Sequence, residues 1–371
     1  MSSSRELRTE QGMMSRLYGM VVDQRTGSGW RIPALDGLRG IAAMMVLVAH
    51  TRHAAAEGGD SLLWAPIERG GAGGVVLFFA LSGFLLYLPW YRSEVEGREP
   101  PRLKTYAIRR CLRIMPAYYA SVIVLAILRV AIGGRDPLDF PAMALHFVFL
   151  PTLMMPLQTV YWTLQTEEFF YWLLPSLHRL VKALGSARVL AVTCLISLLW
   201  AAAGLHWLEP TERGVGLWLE QTPFFLPAFA LGIFTAVRWA DNKQDANGRT
   251  LVLIGTAAYV MFTPLAAYMA IRTDHAATPL TELMMAPAAS AVVLGAARGG
   301  ARFLEHPVLR FFGGISFSLY LWHAVVLRIV PVPDLVVHSF GLRVLYTVAI
   351  TTPVALVSYL CVERPFLKLR P

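Results

Sequence analysis

The chain has 371 residues, of which 56% are hydrophobic and only 15% are charged, and its formal net charge is +9. Soluble domains carry about 25% charged residues, so this composition argues against a soluble organisation and predicts a polytopic membrane protein. A basic excess in such a protein reports its orientation in the membrane. Because no aromatic-and-basic stripe or nucleic-acid motif accompanies the charge, we expect no nucleic-acid partner.

Residues 1–30 form a polar leader of mixed charge. This segment has no apolar core and no small-residue cleavage site, so it is not a signal peptide. We predict a disordered or loosely membrane-associated cytoplasmic leader, followed by a single membrane domain at residues 31–371. Three cysteines, Cys111, Cys194 and Cys361, lie far apart and form no CxxC pair. They predict neither a disulfide framework nor a metal site and are expected to pack as small apolar residues.

Ten stretches are long and apolar enough to cross a bilayer, which takes about 20 residues. They predict an all-α fold with about ten transmembrane helices. An eleventh apolar piece, residues 140–156, is short and bounded by prolines, so it is expected to be re-entrant or interfacial. The predicted spans are 34–54, 71–91, 113–133, 159–180, 187–206, 217–238, 251–271, 280–297, 311–330 and 342–362.

Lysines and arginines alternate between rich and poor loops along the chain. Residues 91–113 carry seven of them, and the loops near 179–188, 238–249 and 298–310 carry three each, whereas the intervening loops are poor. Since basic residues collect on the cytoplasmic side, both termini are predicted to be cytoplasmic. Frequent alanine and arginine are typical of a GC-rich bacterial gene, so we expect a bacterial cytoplasmic membrane protein.

Ionisable residues inside the predicted spans fall into two layers. At 1.5 Å per residue, His50 lies about 22 Å from the cytoplasmic start of the first helix and Arg39 about 6 Å from it. Glu167 lies about 12 Å from the outer end of the fourth span, and His323 about 18 Å from the cytoplasm on the ninth. Such residues are costly in lipid and are expected to face a cavity or a partner. The outer layer comprises His50, Glu167 and His323, and the inner layer comprises Arg39, Arg109, Arg110, Arg113 and Glu363.

Structural roles compete with functional ones for the residues at the helix ends. His50 could cap the first helix at the headgroups, and His53 is expected to be interfacial. A His50–His53 metal pair lacks a third ligand. Asp36 lies three residues before Arg39, a spacing that permits an intrahelical ion pair and that suits the positive end of the helix dipole.

Other polar and aromatic residues also have structural interpretations. The segment LSGFLL around Ser82 lacks the GxSxG pattern of a nucleophile, so Ser82 and Gly83 are expected to let helices approach closely. The stripe at residues 169–172 is expected to pack and to form an interface belt. Glu167 and Glu168 are adjacent and must point in different directions, but the sequence does not indicate which one reaches a cavity.

Six segments in one order resemble the motifs of the acyltransferase 3 family of integral membrane acyltransferases. The first includes an arginine, ten residues and then a histidine, here Arg39 and His50. The fourth resembles the family's tryptophan–serine–leucine–x–x–glutamate motif, with Thr163 in the serine position and Glu167 as the glutamate. The segments are RIPALDGLRGIAAMMVLVAH (31–50), GGVVLFFALSGFLL (73–86), RRCLRIMPAYY (109–119), YWTLQTEEFFYWLLP (161–175), ISFSLYLWH (315–323) and ERPF (363–366).

This resemblance implies transfer of an acyl group, usually acetyl from acetyl-CoA, to a hydroxyl of a carbohydrate or similar acceptor. It also implies that His50 and Arg39 are essential, and we expect a stand-alone transferase. Surface polysaccharide, cell-wall glycan, a glycolipid and a macrolide-type sugar all remain open as acceptors. Acyl-CoA is expected as a donor substrate, with no permanently bound cofactor.

The layers and the resemblance together suggest a mechanism. The inner arginines, Arg39 with Arg109, Arg110 and Arg113, would hold the phosphates of acyl-CoA. Neutral His50 would act as general base. Glu167 would orient it or stabilise its imidazolium. The supporting or acceptor-binding candidates are Ser82, Glu168, Tyr320 and His323.

Two alternatives stay open at this stage. His50 itself could become acylated and relay the group across the membrane. A proton-coupled transporter of a polar or lipid-linked substrate could also need buried histidine and glutamate, although the sequence shows no inverted repeat.

Overall fold

The computed structural model describes residues 16–22, 31–53, 65–131, 160–207, 221–241, 247–272, 278–337 and 339–371. Within these ranges the chain is helical and contains no strand. The helices are α1 (Pro33–His53), α2 (Ala65–Val95), α3 (Leu103–Ala131), α4 (Tyr161–Leu184), α5 (Ser186–Trp207), α6 (Thr222–Asp241), α7 (Gly248–Arg272), α8 (Thr278–Met284), α9 (Ala286–Ala297), α10 (Pro307–Gly314), α11 (Ser316–Ile329), α12 (Asp334–Val337), α13 (Phe340–Ser358) and α14 (Arg364–Lys368). A 3₁₀ turn (Arg302–Glu305) precedes α10, and a π turn (Tyr359–Glu363) joins α13 to α14.

Eight helical stretches in the described part of the chain are long and apolar enough to cross a membrane, or nine if the bent pair α10–α11 counts as one span. The prediction of an all-α polytopic membrane protein is therefore confirmed. The fourth of the ten predicted spans corresponds to α4, which has 24 residues but does not qualify. Its length suffices, and its charged residues lower its hydropathy. They are Glu167, Glu168, Arg179 and Lys182.

Two sequence predictions fall on residues outside the described ranges. The apolar piece at 140–156 lies there, and so does most of the leader. Within the leader, residues 16–22 are helical, and Val21 and Val22 are buried in a cluster with Ile315 and Leu319. This part of the leader therefore packs against the membrane domain.

Helix α1 approaches several of its neighbours closely. It packs against α2, α10 and α11. A Cβ atom at Gly37 would overlap the carbonyl of Leu304, and one at Gly313 would overlap the carbonyl of Asp36. Only glycine permits this backbone contact, so the segment LDGLRG holds the start of α1 against α10 and the turn before it.

Helices α2 and α6 cross at a second pair of glycines. A Cβ atom at Gly83 would overlap the carbonyl of Phe229, and one at Gly232 would overlap that of Ala80. The predicted close approach at Gly83 is thus confirmed. The neighbouring residue Ser82 takes a different role, because its side chain is directed toward α4.

The chain bends by 72° between α10 and α11. Gly313 and Gly314 end α10, and paired glycines are a common cause of such kinks. The bend places the first residue of α11, Ser316, inside the protein, where it is 1% exposed. A helix N-terminus therefore lies in the interior of the bundle.

Candidate active site

A cavity of about 810 Å³, its open mouth included, lies between α1, α2, α3, α4 and α11. Among the described residues, apolar and polar side chains contribute to its wall in nearly equal number. The polar lining residues are Arg39, Ser82, Arg110, Arg113, Thr163, Glu167, Tyr171, Ser316 and Tyr320. Six of the ten site residues predicted from the sequence therefore meet in one cavity.

Glu167 is the carboxylate that reaches this cavity, where it lines the wall with arginines of the predicted inner layer and not with the histidines of the outer layer. Its Oε1 accepts a hydrogen bond of 2.6 Å from Ser82 Oγ and a second, short one from the Tyr171 hydroxyl. Glu168 points elsewhere and accepts a hydrogen bond of 3.1 Å from Trp172 Nε1. The structure thus distinguishes two carboxylates that the sequence could not rank.

Tyr171 belongs to the aromatic stripe at residues 169–172, for which the sequence predicts packing, and the structure gives it a polar role as well. The pairs Glu167–Tyr171 and Glu168–Trp172 are both four residues apart. Residues at this spacing share a helix face. The four-residue spacing could therefore have predicted these two hydrogen bonds, whereas the aromatic composition of the stripe indicated packing only.

Three arginines line the cavity, and each has different interaction partners. Arg113 Nη1 lies 2.5 Å from Glu363 Oε1, with the Glu363 side chain fully buried. Arg110 lies over the rings of Tyr106 and Tyr171. Its Nε is buried without a hydrogen-bond acceptor among the described residues.

Arg39 has no ion-pair partner within 4 Å in the described part of the chain. Its spacing from Asp36 permits an intrahelical pair, but that pair does not form. Asp36 instead lies 2.6 Å from Arg31 Nε. The guanidinium of Arg39 in the cavity wall therefore makes no direct ion pair with its nearest acidic neighbour in the sequence.

Two further arginines lie beyond the cavity wall. Arg109 is exposed and donates hydrogen bonds of 2.9 and 2.6 Å to the carbonyl oxygen of Pro371. Arg370 is half-buried, and its Nε and Nη2 have no acceptor among the described residues. Burial and the nearby Arg113 and Arg110 lower the pKa of Arg370. The sequence alone could not indicate this position, because the approach of Arg370 to α3 depends on the π turn and α14.

His50 and His323 form a pair outside the cavity lining. Their ring centroids are 5.0 Å apart in an edge-to-face arrangement. His50 Nδ1 lies 2.9 Å from the Val46 carbonyl oxygen, and His323 Nδ1 lies 3.3 Å from that of Leu319. A carbonyl only accepts, so in each neutral ring Nδ1 carries the proton and Nε2 carries the lone pair.

Tyr320 connects the histidine pair to the cavity. Its ring centroid is 5.6 Å from that of His323, and its hydroxyl lies 2.6 Å from Thr163 Oγ1. The cavity lining formed by the described residues includes Tyr320 but neither His50 nor His323. The site thus contains an arginine-lined cavity and a histidine pair, joined by a tyrosine.

The side chain of His53 is outside the described residues.

The helices and this internal polar cavity define a polytopic integral membrane protein with a ligand-sized site among its spans. Residues 32–363 match the family model of the acyltransferase domain of the acyltransferase 3 type. The chain therefore belongs to the acyltransferase 3 family and is an integral membrane acyltransferase. The resemblance seen in the six motifs is confirmed.

Curated relatives are similar over most of the chain. Acyltransferase MdmB of Streptomyces mycarofaciens is 28% identical, covering 80% of this chain and 79% of its own length. Nodulation protein 10 of Rhizobium leguminosarum bv. viciae is 24% identical, covering 81% and 83%. Peptidoglycan O-acetyltransferase OatA of Listeria monocytogenes is 24% identical, covering 91% of this chain and 56% of its own length. No solved structure matches the chain.

Proposed function

We propose that this protein transfers an acyl group, acetyl in the first instance, from acyl-CoA to a hydroxyl of a carbohydrate or glycosylated acceptor. The observation that carries the proposal is a cavity lined by three arginines and joined through Tyr320 to a histidine pair. One related enzyme is named for peptidoglycan O-acetylation, which supports a glycan acceptor. Surface polysaccharide, cell-wall glycan, glycolipid and macrolide-type sugar are the acceptors to screen.

The spacing of Arg39 and His50 supports a long donor. Eleven residues are close to three turns of 3.6 residues, so both side chains leave the same face of α1. They are about 16 Å apart along the axis. Acyl-CoA carries a diphosphate at one end of a slender arm and a thioester at the other, and it would lie along this face.

In the reaction we propose, the acceptor hydroxyl lies against Nε2 of His50. Nε2 takes the hydroxyl proton while the oxygen attacks the thioester carbonyl carbon. When the tetrahedral intermediate collapses, the carbon–sulfur bond breaks and CoA leaves as a thiolate. The imidazolium of His50 returns the proton to that thiolate, so the products are an ester, CoA–SH and a neutral histidine.

Glu167 and the residues around it would support the donor end of this path. Its carboxylate accepts hydrogen bonds from Ser82 and Tyr171 in the cavity wall, and it lines the same cavity as Arg39. Orientation of His50 by Glu167 stays a prediction. Arg110 and Arg113 line the cavity and would bind phosphate, whereas Arg109 would act outside it.

Location follows from the same proposal. The arginine end of the cavity would face the cytoplasm, where acyl-CoA is made, and the histidine pair would lie toward the outer side of a bacterial cytoplasmic membrane. Direct transfer is the simpler route. An acyl-histidine at His50, trapped by rapid quench and detected by mass spectrometry, would establish the two-step relay instead.

Thermal unfolding of the detergent-purified protein against acetyl-CoA concentration tests the donor without an identified acceptor. A ligand at 100 times its Kd adds about 2.7 kcal/mol of stability when only the folded state binds it. We expect Arg39→Ala to lose this stabilisation. Arg188→Ala, an exposed arginine at the start of α5, should keep it. A well-folded wild-type protein that acetyl-CoA does not stabilise would contradict the donor assignment.

A further inference from the structure

Ser316 is the first residue of α11 and lines the cavity. It is 1% exposed, and its Oγ has no hydrogen-bond partner among the described residues. A buried hydroxyl without a partner costs roughly 1–3 kcal/mol. A hydroxyl in the wall of a cavity can recover this energy from a molecule that fills the cavity.

The backbone at the same point also offers donors. The first N–H groups of a helix lack acceptors within it, and the helix dipole places partial positive charge there. Helix α11 has 14 residues, so this dipole is well developed. Helix N-termini of this kind bind phosphate and other anions.

Positive side chains line the cavity beside Ser316. Arg39 and Arg113 belong to the same wall, and Arg113 lies over the ring of Phe317, the residue after Ser316. The carboxylate of Glu363 is engaged by Arg113 and by Ser318. A guanidinium has five N–H donors, so Arg113 can bind a second anion while it keeps this pair.

We propose that the N-terminus of α11 and the hydroxyl of Ser316 bind the diphosphate of the CoA donor. This inference rests on the proposed function and names the group that the cavity recognises. Ser316 precedes His323 by seven residues, about 10 Å along α11. The diphosphate would thus bind well away from the histidine pair, at the arginine end, and the arm would extend toward Tyr320.

Isothermal titration of the purified full chain with CoA, 3′-dephospho-CoA and pantetheine tests the assignment. Loss of one hydrogen bond to a charged group weakens binding about tenfold or more. Ser316→Ala should show this loss for CoA and for 3′-dephospho-CoA, because both carry the diphosphate, and no change for pantetheine. Ser290→Ala is the matched control, since Ser290 is also buried with an unpartnered Oγ but lies on α9 outside the cavity lining. It should bind all three like wild type.

Each other outcome overturns a specific statement. A wild-type protein that does not bind CoA overturns the proposed donor and this inference together. Binding of CoA by wild type and Ser316→Ala with equal affinity overturns the inference alone, as does an equal loss for pantetheine. If Ser316→Ala loses affinity for CoA but not for 3′-dephospho-CoA, Ser316 binds the 3′-phosphate, and the assignment to the diphosphate is overturned. Ser316→Cys, which keeps the volume and weakens the donor, must reproduce the loss if Ser316→Ala does not fold.

Discussion

Replacing Glu363 by glutamine should make the protein less stable without CoA and should make CoA bind more tightly. Glu363 is fully buried and pairs with Arg113, whose side chain is 14% exposed. Removing one partner of a buried ion pair costs about 3–5 kcal/mol. Glutamine keeps an acceptor oxygen and Arg113 retains some exposure, so we expect the lower end, about 3 kcal/mol.

The effect on CoA follows from the same charge. If Arg113 binds a phosphate of CoA, the Glu363 carboxylate lies roughly 8 Å from it and repels it by about 2 kcal/mol at an effective dielectric constant of about 20. Glu363→Gln should therefore tighten CoA binding at least tenfold. At a CoA concentration 100 times the wild-type Kd, the stabilisation should rise from about 2.7 to at least about 4.1 kcal/mol.

The assay is unfolding of detergent-purified protein with and without CoA, for wild type, Glu363→Gln and Ser318→Ala. Ser318 donates a hydrogen bond of 3.0 Å to Glu363 Oε2, so its removal disturbs the pair without changing the charge. It should leave the gain from CoA at the wild-type value. A gain from CoA in Glu363→Gln that equals or falls below that of wild type would refute phosphate binding by Arg113.

Three further predictions concern packing and the cavity wall. Gly83→Ala should lower the free energy of unfolding by about 1–3 kcal/mol through overpacking at the α2–α6 crossing. Gly341→Ala, with open space around it, should lower it by less, and equal effects would contradict the close crossing. Arg109→Ala should leave the Kd for CoA within about twofold of wild type, because Arg109 is exposed and lies outside the cavity lining. A tenfold loss of CoA affinity, measured by titration, would place Arg109 in the site. Glu167→Gln should lower the free energy of unfolding by about 2 kcal/mol as its two charged hydrogen bonds weaken. In Glu168→Gln only the bond from Trp172 weakens, so this variant should cost less. The reverse order of the two effects would contradict the assignment of the two carboxylates.

The membrane spans, and the position of two site residues on one face of α1, could be predicted because they depend on local sequence patterns. An apolar run of about 20 residues identifies a span wherever it packs. Arg39 and His50 share a face of α1 through helical geometry alone. Membrane orientation remains a prediction from the distribution of basic residues.

Other features needed the tertiary structure. Adjacent residues on a helix differ by 100° in direction, so only the position of α2 decides that Glu167, and not Glu168, meets Ser82. The partner of Asp36 is Arg31, which precedes the helix, because side chains outside a helix can compete with the intrahelical spacing. The inward N-terminus at Ser316 results from a bend that glycines permit but do not by themselves specify.

Acetyl transfer by wild type and His50→Ala tests the central claim most directly. Membrane vesicles from the source cell, lacking the native chain and carrying either form, would receive radiolabelled acetyl-CoA, and alkali-labile acetate in the glycan fraction would be counted. A positioned general base contributes about 10²–10⁴ in rate, so His50→Ala should lose at least about 100-fold while it folds normally. His206→Ala, an exposed histidine on α5, should keep the wild-type rate. Transfer by His50→Ala at the wild-type rate, or proton-coupled uptake by wild type with no acetyl-CoA consumed, would contradict the account.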